Sequence, residues 1–225
     1  SYKQNSFTLS QNLEFKFSKV NITSTTSYQY LDDNMKLDQD FTSEPIFILQ
    51  QIQRRNAITE EIILRPMNNL TNNYQWNIGL FAFYDMINTS APVLFKTLGV
   101  DRLIEKKVTS NLPPYVSYKI LEDEMPIVDE LETPTFGAAI FHQSTLTNIL
   151  LNGLDITAGI RFDYEKAKII YNNSTALTQF YSITFGNMTI EDDMKASIDL
   201  KGSETKNYLQ VLPKLAVSYV FSGEK

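Results

Sequence analysis

Apolar and polar residues alternate along several long stretches of this chain. Between residues 156 and 165 one parity is apolar and contains Ile156, Ala158, Ile160, Phe162 and Tyr164. The other parity contains Thr157, Gly159, Arg161, Asp163 and Glu165. Successive side chains of a β-strand point to opposite faces, so a period of two predicts a strand with one apolar and one polar face.

Three further stretches show the same alternation. Their mainly apolar parities are Phe7, Leu9, Gln11, Leu13, Phe15 and Phe17; Tyr74, Trp76, Ile78, Leu80, Ala82 and Tyr84; and Leu209, Val211, Leu215, Val217, Tyr219 and Phe221. The best helical candidate, Ser144 to Asn152, is too short to pack as an independent amphipathic helix. We interpret it as a strand end that runs into a turn. The pattern predicts an all-β, antiparallel fold with seven long strands.

The connections between these strands alternate between short and long. The short ones are rich in Asn, Gly, Ser or Pro, as tight turns require: Ser18 to Asn21, Pro66 to Asn73 and Asn148 to Leu154. The long ones exceed what compact domains normally use: Asp32 to Asn56, Asn88 to Glu132 and Asn172 to Lys206. Short turns on one rim and long loops on the other are typical of an outer-membrane β-barrel.

Alternation alone fits a soluble β-sandwich as well as a membrane barrel. Strand length agrees with the barrel, because a tilted spanning strand needs roughly 9–11 residues. The 12 Tyr and 14 Phe also fit, since aromatic residues populate the interfacial girdles of membrane barrels. In a barrel, Arg161, Asp163 and Glu165 would face the lumen; on a soluble sheet they would lie on the solvated surface. The asymmetry of the loops favours the membrane.

Composition excludes several functions. The net charge of -6 and pI near 4.9 argue against a nucleic-acid partner, because phosphate binding needs a basic face. The absence of cysteine removes disulfides, thiolate metal sites and thiol nucleophiles. The sequence also has no P-loop, GxGxxG, GxSxG or HExxH motif. We therefore expect neither an enzyme nor a cofactor.

Four stretches, in order, resemble barrel strands of the TonB-dependent outer-membrane receptors. They are the run from Phe17 to Asp33, the pair formed by Thr59 to Arg65 and Tyr74 to Tyr84, the run from Gly153 to Glu165, and the run from Val211 to Phe221. The sequence at residues 38–42 and 141–145 is most similar to receptors of the Bacteroidetes. Together the matches cover most of the predicted strands and none of the long loops.

The resemblance implies a transport receptor that lies in the bacterial outer membrane. Such receptors form a 22-stranded barrel closed by an N-terminal plug domain, so residues 1–225 would be part of the barrel, with the plug and the barrel ends not present. The last residues, Ser222 to Lys225, resemble a periplasmic turn. Expected partners are the lipid bilayer, the plug, TonB through the missing plug region, and a scarce nutrient: a siderophore, haem, cobalamin or a glycan. Loops Asn88 to Glu132 and Asp32 to Asn56 would capture it.

Few residues suggest site chemistry, and we assign no catalytic, cofactor-binding or metal-binding residue. His142 is the only histidine, so it lacks partners for a metal site, and we expect a hydrogen-bonded strand residue at the lumen or rim. Acidic groups lie in predicted loops at Asp32-Asp33, Glu122-Asp123-Glu124, Asp129-Glu130 and Glu191-Asp192-Asp193. We interpret them as solvated charge, with contact to a cationic or metal-chelated substrate as the alternative. Rival functions are a porin or adhesin barrel and a secreted β-sandwich that binds a ligand.

Overall fold

The computed structural model describes residues 1–38, 43–67, 73–149 and 151–221, and nearly all of them lie in β-strands. The seven long strands predicted from the alternation are present, together with two short ones. They are β1 (Tyr2–Lys16), β2 (Val20–Asp38), β3 (Phe47–Pro66), β4 (Tyr74–Ser90), β5 (Val93–Phe95), β6 (Val116–Ile120), β7 (Met125–Leu146), β8 (Leu154–Phe185) and β9 (Met188–Tyr219).

The strands form one antiparallel sheet in which the long strands follow chain order. The path is β1-β2-β3-β4-β7-β8, and β9 continues it by pairing with β8. The short strand β5 bridges β3 and β7, while β6 pairs with β8. The antiparallel, all-β prediction is therefore confirmed.

The register aligns the apolar parities of neighbouring strands into continuous rows. Leu80 pairs with Ile140, Ile140 with Phe162, and Phe162 with Val211. Leu80 and Ile140 are each 50% exposed, so this face is not covered by any described residue. The sheet thus presents a broad apolar face to its surroundings.

Aromatic side chains border this apolar face at two heights. Tyr74 lies at the short-turn end of β4, and Tyr84 lies ten residues further along on the same face. Ten residues span roughly 34 Å along a strand, and a tilt of about 40° reduces this to a height of roughly 26 Å. The apolar band of outer-membrane barrels is about 25 Å tall, so the spacing matches a hydrocarbon layer. A polar exception lies between the rings, where Glu60 accepts hydrogen bonds from Ser24 Oγ and Thr26 Oγ1.

The opposite face is crowded. Ala57 and Ala139 on this face are only 6% and 8% exposed, although alanine is small. Side chains crowd together on the concave side of a curved sheet and splay apart on the convex side, so we assign the polar parity to the concave side. Phe141 lies against its cross-strand partner Gly79, and Phe83 lies against Gly137. A flat ring that covers a glycine fills the concave surface without projecting far from it.

The short turn between β1 and β2 agrees with the prediction, as does the turn between β7 and β8 in its described residues, whereas the long loops are much shorter than predicted. The segment Asp32 to Asn56 is mostly strand, because β2 extends to Asp38 and β3 begins at Phe47. The segment Asn172 to Lys206 is a paired hairpin closed by Gly186 and Asn187, with Gly186 at a φ of 59°. The backbone hydrogen bonds of a strand ladder do not depend on side-chain polarity, so a polar segment can remain a strand.

Other expectations are corrected in part. Three of the four acidic groups lie in strands rather than in loops: Asp32-Asp33 in β2, Asp129-Glu130 in β7 and Glu191-Asp192-Asp193 in β9. The segment Asn88 to Glu132 contains strand and helix. Ser144 to Asn152 does begin as the end of β7 and continue into a turn, with residue 150 outside the described part. The resemblance at residues 39–42, the turn at 68–72 and the expected periplasmic turn at 222–225 also lie outside it.

Candidate functional site: the concave face and its folded loop

A folded module occupies the connection between β5 and β7. It contains a continuous helical segment made of α1 (Thr97–Gly99), a π-helical turn (Val100–Glu105) and α2 (Lys106–Thr109). The sequence did not predict this helix. Each of its parts is far shorter than a helix that is stable alone, so its stability comes from packing. π-Helical turns are rare and often occur at functional sites.

The module has a hydrophobic core of its own. Val100, Tyr118, Ile120 and Met125 are buried, and Val100 is only 2% exposed. Partly buried residues of the helix and of the sheet pack around them: Phe95, Ile104, Val108, Leu112, Ile127, Leu177 and Tyr181. Because Leu177 and Tyr181 belong to β8, this core fixes the helix to the hairpin formed by β8 and β9. The connection is therefore a folded element of the sheet and not a free loop.

Glu122 anchors the module by its carboxylate. Both carboxylate oxygens accept the backbone N–H of Thr178 on β8, at 2.8 Å each. Partial burial raises the pKa of Glu122, but the hydrogen bonds from Thr178 outweigh it and hold that pKa below its usual value. The acidic group Glu122-Asp123-Glu124 thus contains a structural anchor. The interpretation of all three residues as solvated charge is wrong for Glu122.

The β8–β9 hairpin extends far beyond the aromatic rings that border the apolar face. Phe185 lies 21 residues beyond Tyr164, which is roughly 70 Å along the strand. On the concave side of β9 the residues Met188, Ile190, Met194, Ile198 and Leu200 alternate with polar ones and are more than half exposed. This period of two, in a stretch that we predicted to be a loop, is the signal in the sequence that would have revealed the hairpin.

The concave face carries paired charges on the strands that cross the apolar band. Arg55 on β3 binds Asp85 on β4 through two parallel contacts, Nε to Oδ1 at 2.9 Å and Nη2 to Oδ2 at 2.8 Å. Bidentate pairs of this kind are geometrically specific and stronger than single contacts. The charges of Arg55 and Asp85 thus neutralise each other on this face.

Arg161 forms the second such pair and lies on an aromatic surface. Its Nε donates to Asp163 at 2.9 and 3.0 Å, and its guanidinium carbon lies 5.6 Å from the Phe81 ring centre and 5.7 Å from that of Phe141. Contact with two ring faces favours a cation. The structure therefore brings together the predicted polar residues of β8, and it adds the phenylalanines of β4 and β7, which the sequence had not singled out.

A cavity of about 380 Å³ opens beside this pair on the concave face. Its lining includes Phe81 and Phe83 on β4, Asp163 and Glu165 on β8, and Tyr208 and Gln210 on β9. Glu165 lies between two rings, since it pairs with Tyr208 on one side and with Gly137, which Phe83 covers, on the other. In the described part of the chain no cationic group lies within 4.0 Å of the Glu165 carboxylate.

His142 lies on the apolar face near the short-turn end of β7, next to Ile140. Its Nε2 is 2.9 Å from Ser144 Oγ, and Ser144 Oγ is 2.9 Å from the Tyr74 hydroxyl. The expectation of a hydrogen-bonded residue at the rim agrees with this position, whereas a position in the lumen does not. Within the described ranges no three His, Cys, Asp or Glu side chains form a group that could hold a metal ion. Over the same residues, no helix is long and apolar enough to cross a membrane.

Comparison with known proteins gives structural matches only. No protein-family model matches the sequence, and no curated protein matches it significantly. The ferric yersiniabactin uptake receptor FyuA from Yersinia pestis matches 98% of this chain at a TM-score of 0.57 and 17% identity. The chain covers 26% of the length of that receptor.

Weaker matches carry no argument about fold. The outer membrane transporter YddB from Escherichia coli has a TM-score of 0.24 at 8% identity, with 93% of this chain and 36% of YddB covered. The outer membrane protease OmpT from Escherichia coli has a TM-score of 0.20 at 9% identity, with 90% and 79% covered. The match to FyuA extends over nearly the whole chain, so this sequence has the fold of one part of an outer-membrane β-barrel.

Proposed function

We propose that this chain forms part of the barrel wall of a TonB-dependent receptor, of the kind found in the Bacteroidetes, that imports a scarce nutrient across the bacterial outer membrane. The main support is one observation: the same strands carry an apolar face bordered by aromatic rings roughly 26 Å apart and a concave face of paired charges. A lipid-facing wall with a polar lumen needs both faces. The resemblance of four stretches of the sequence to this family supports the finer assignment.

The proposed division of labour follows the geometry. The apolar face would contact the lipid bilayer, and the concave face would contact the plug domain of the same protein. The module with its core at Val100 and the hairpin beyond Tyr164 would lie outside the cell, where the nutrient binds. TonB would act through the plug, whose residues are not in this sequence. We propose transport rather than catalysis. In each of the two Arg–Asp pairs described on the concave face, the Arg binds its own Asp, so neither side chain is left free to act on a substrate.

Uptake assays on the full-length protein test this proposal. Cells that carry the gene would be given labelled ferric siderophore, haem, cobalamin or oligosaccharide, with and without an agent that dissipates the proton-motive force. We expect saturable uptake of one compound that stops when the force is removed. Uptake that continues without the force would identify a passive porin and contradict the proposal.

A pair of variants separates ligand capture from folding. Replacing residues 97–112 with a short Gly-Ser linker removes the helical module, and a matched insertion of the same linker at Ser18 changes the opposite rim. We expect the first change to weaken ligand binding at the cell surface and the second to leave binding unchanged. Heat-modifiable migration in gels checks that both barrels are folded. Equal binding by the two variants would place the nutrient site elsewhere.

A further inference from the structure

The cavity beside Arg161 has charges and rings that no proposed step of transport uses. Three charged side chains line it, namely Arg161, Asp163 and Glu165. The first two neutralise each other through their bidentate contact, with Nη2 2.8 Å from Oδ1. The Glu165 carboxylate therefore gives the lining a net charge of about -1.

The rings reinforce the preference of this carboxylate for a cation. Phe83 and Tyr208 lie on the two sides of Glu165 along one row of paired residues, and Phe81 lies 6.0 Å from Phe83, centre to centre. Ring faces attract an ammonium or guanidinium group, while a carboxylate supplies the opposite charge. The neighbouring Arg161 shows the same preference, since it lies over Phe81 and binds a carboxylate.

Lys206 is the nearest candidate for an internal partner of Glu165. It lies two residues before Tyr208 on β9 and pairs with Ala167, which is two residues after Glu165. Among the described residues, no acidic group lies within 4.0 Å of the Lys206 ammonium, so Lys206 forms no ion pair with Glu165. Lys206 also does not line the cavity. The position opposite Glu165 is thus open to a cation from outside this chain.

We propose that this cavity binds an alkylammonium or guanidinium group. The inference rests on the proposed function only for the source of that group. One source is a lysine or arginine side chain of the plug, which would hold the plug against the wall at this height. The other is a cationic group of the imported compound as it passes along the lumen.

The test uses the intact, full-length receptor in detergent micelles with L-arginine methyl ester as the probe. Saturation-transfer NMR measures probe binding to the parent, to Glu165→Gln and to the matched control Glu204→Gln, which removes the same charge from the same concave face but on the neighbouring strand β9. If the cation comes from the compound in transit, we expect saturable binding that Glu165→Gln weakens about fivefold and that Glu204→Gln leaves unchanged.

A second arm detects the plug as the source. If a plug side chain already occupies the cavity, the probe will not bind the intact receptor. Glu165→Gln should then lower the urea concentration that opens the pore, recorded as current across a planar bilayer, by about 0.5 M relative to Glu204→Gln. Tyr208→Ser removes one of the two rings beside Glu165. It should therefore weaken probe binding if the probe binds, or lower the urea concentration that opens the pore if the plug occupies the cavity.

The outcomes separate the site from the proposed function. No probe binding together with equal urea thresholds for the two glutamate variants would overturn the cation site, even if energy-dependent uptake is observed. Probe binding that Glu165→Gln leaves unchanged would also overturn it. If the unmodified protein shows no energy-dependent uptake but binds the probe at Glu165, the proposed receptor function is refuted and the cation site is retained.

Discussion

The contact between Gly79 and Phe141 gives a sharp test of the concave face. A methyl group added at Gly79 would lie 2.0 Å from Cζ of Phe141 and 2.4 and 2.6 Å from its two Cε atoms, so the ring must leave its place. Overpacking of this kind costs about 1–3 kcal/mol. The displaced ring also loses its place below Arg161, now 5.7 Å from its centre, which is worth about 0.5–1 kcal/mol at an exposed site.

We therefore expect Gly79→Ala to destabilise the barrel by about 2–3 kcal/mol. With a urea dependence of about 2 kcal/mol per molar, the midpoint of unfolding in micelles falls by about 1–1.5 M. The same substitution in a Phe141→Ala background meets no ring. There it should be neutral or stabilising by about 0.5 kcal/mol, because alanine loses less backbone entropy than glycine in a strand.

Comparing Gly79→Ala with Phe and with Ala at residue 141 tests whether the ring covers this glycine. A strong dependence of the Gly79→Ala effect on residue 141 is the coupling that the contact predicts. Equal effects in both backgrounds would show that the ring does not cover this glycine and would refute the reasoning. The pair Gly137 and Phe83, where the added methyl would lie 2.1 Å from the ring, is an independent replicate.

Three further predictions concern other contacts. Asp85→Ala leaves Arg55 without its bidentate partner, and we expect the free energy of unfolding in urea to fall by about 1 kcal/mol. A double-mutant cycle with Arg55→Ala should show coupling between the two residues, and additive effects of the two substitutions would contradict this. Val100→Ala removes buried volume from the helical module and should increase proteolysis between residues 96 and 115 without changing the unfolding of the barrel. Loss of the folded barrel would show that the module and the barrel do not unfold separately. Because the pKa of Glu122 is lowered in the folded state, its contribution is fully present above about pH 4.5 and is lost as the pH falls further. The protection of the Thr178 amide against hydrogen exchange, relative to an unfolded peptide at the same pH, should fall only in that acid range, and Glu122→Gln should remove this dependence.

The loops show how far sequence patterns reach. The segment 172–206 is rich in Asn, Ser, Thr and acidic residues, and its composition indicated a loop. Its weak alternation, with Met188, Ile190 and Met194 on one side, was the better guide, because strand pairing uses the backbone and both faces of this hairpin are partly exposed. The helical segment gave no such signal, because it is held by residues from β6, β7 and β8 that are distant in sequence.

The sequence by itself determined the strands that cross the apolar band and which of their faces is apolar. A period of two is a local property, and the aromatic residues at its ends are local as well. Only the tertiary structure decided which residues of different strands meet. The register brought Arg161 onto Phe81 and Phe141, set Glu165 between Tyr208 and the ring of Phe83, and packed Val100 against β8. A shift of one residue would move every side chain to the other face, and register depends on the summed pairing of whole strands rather than on any local pattern.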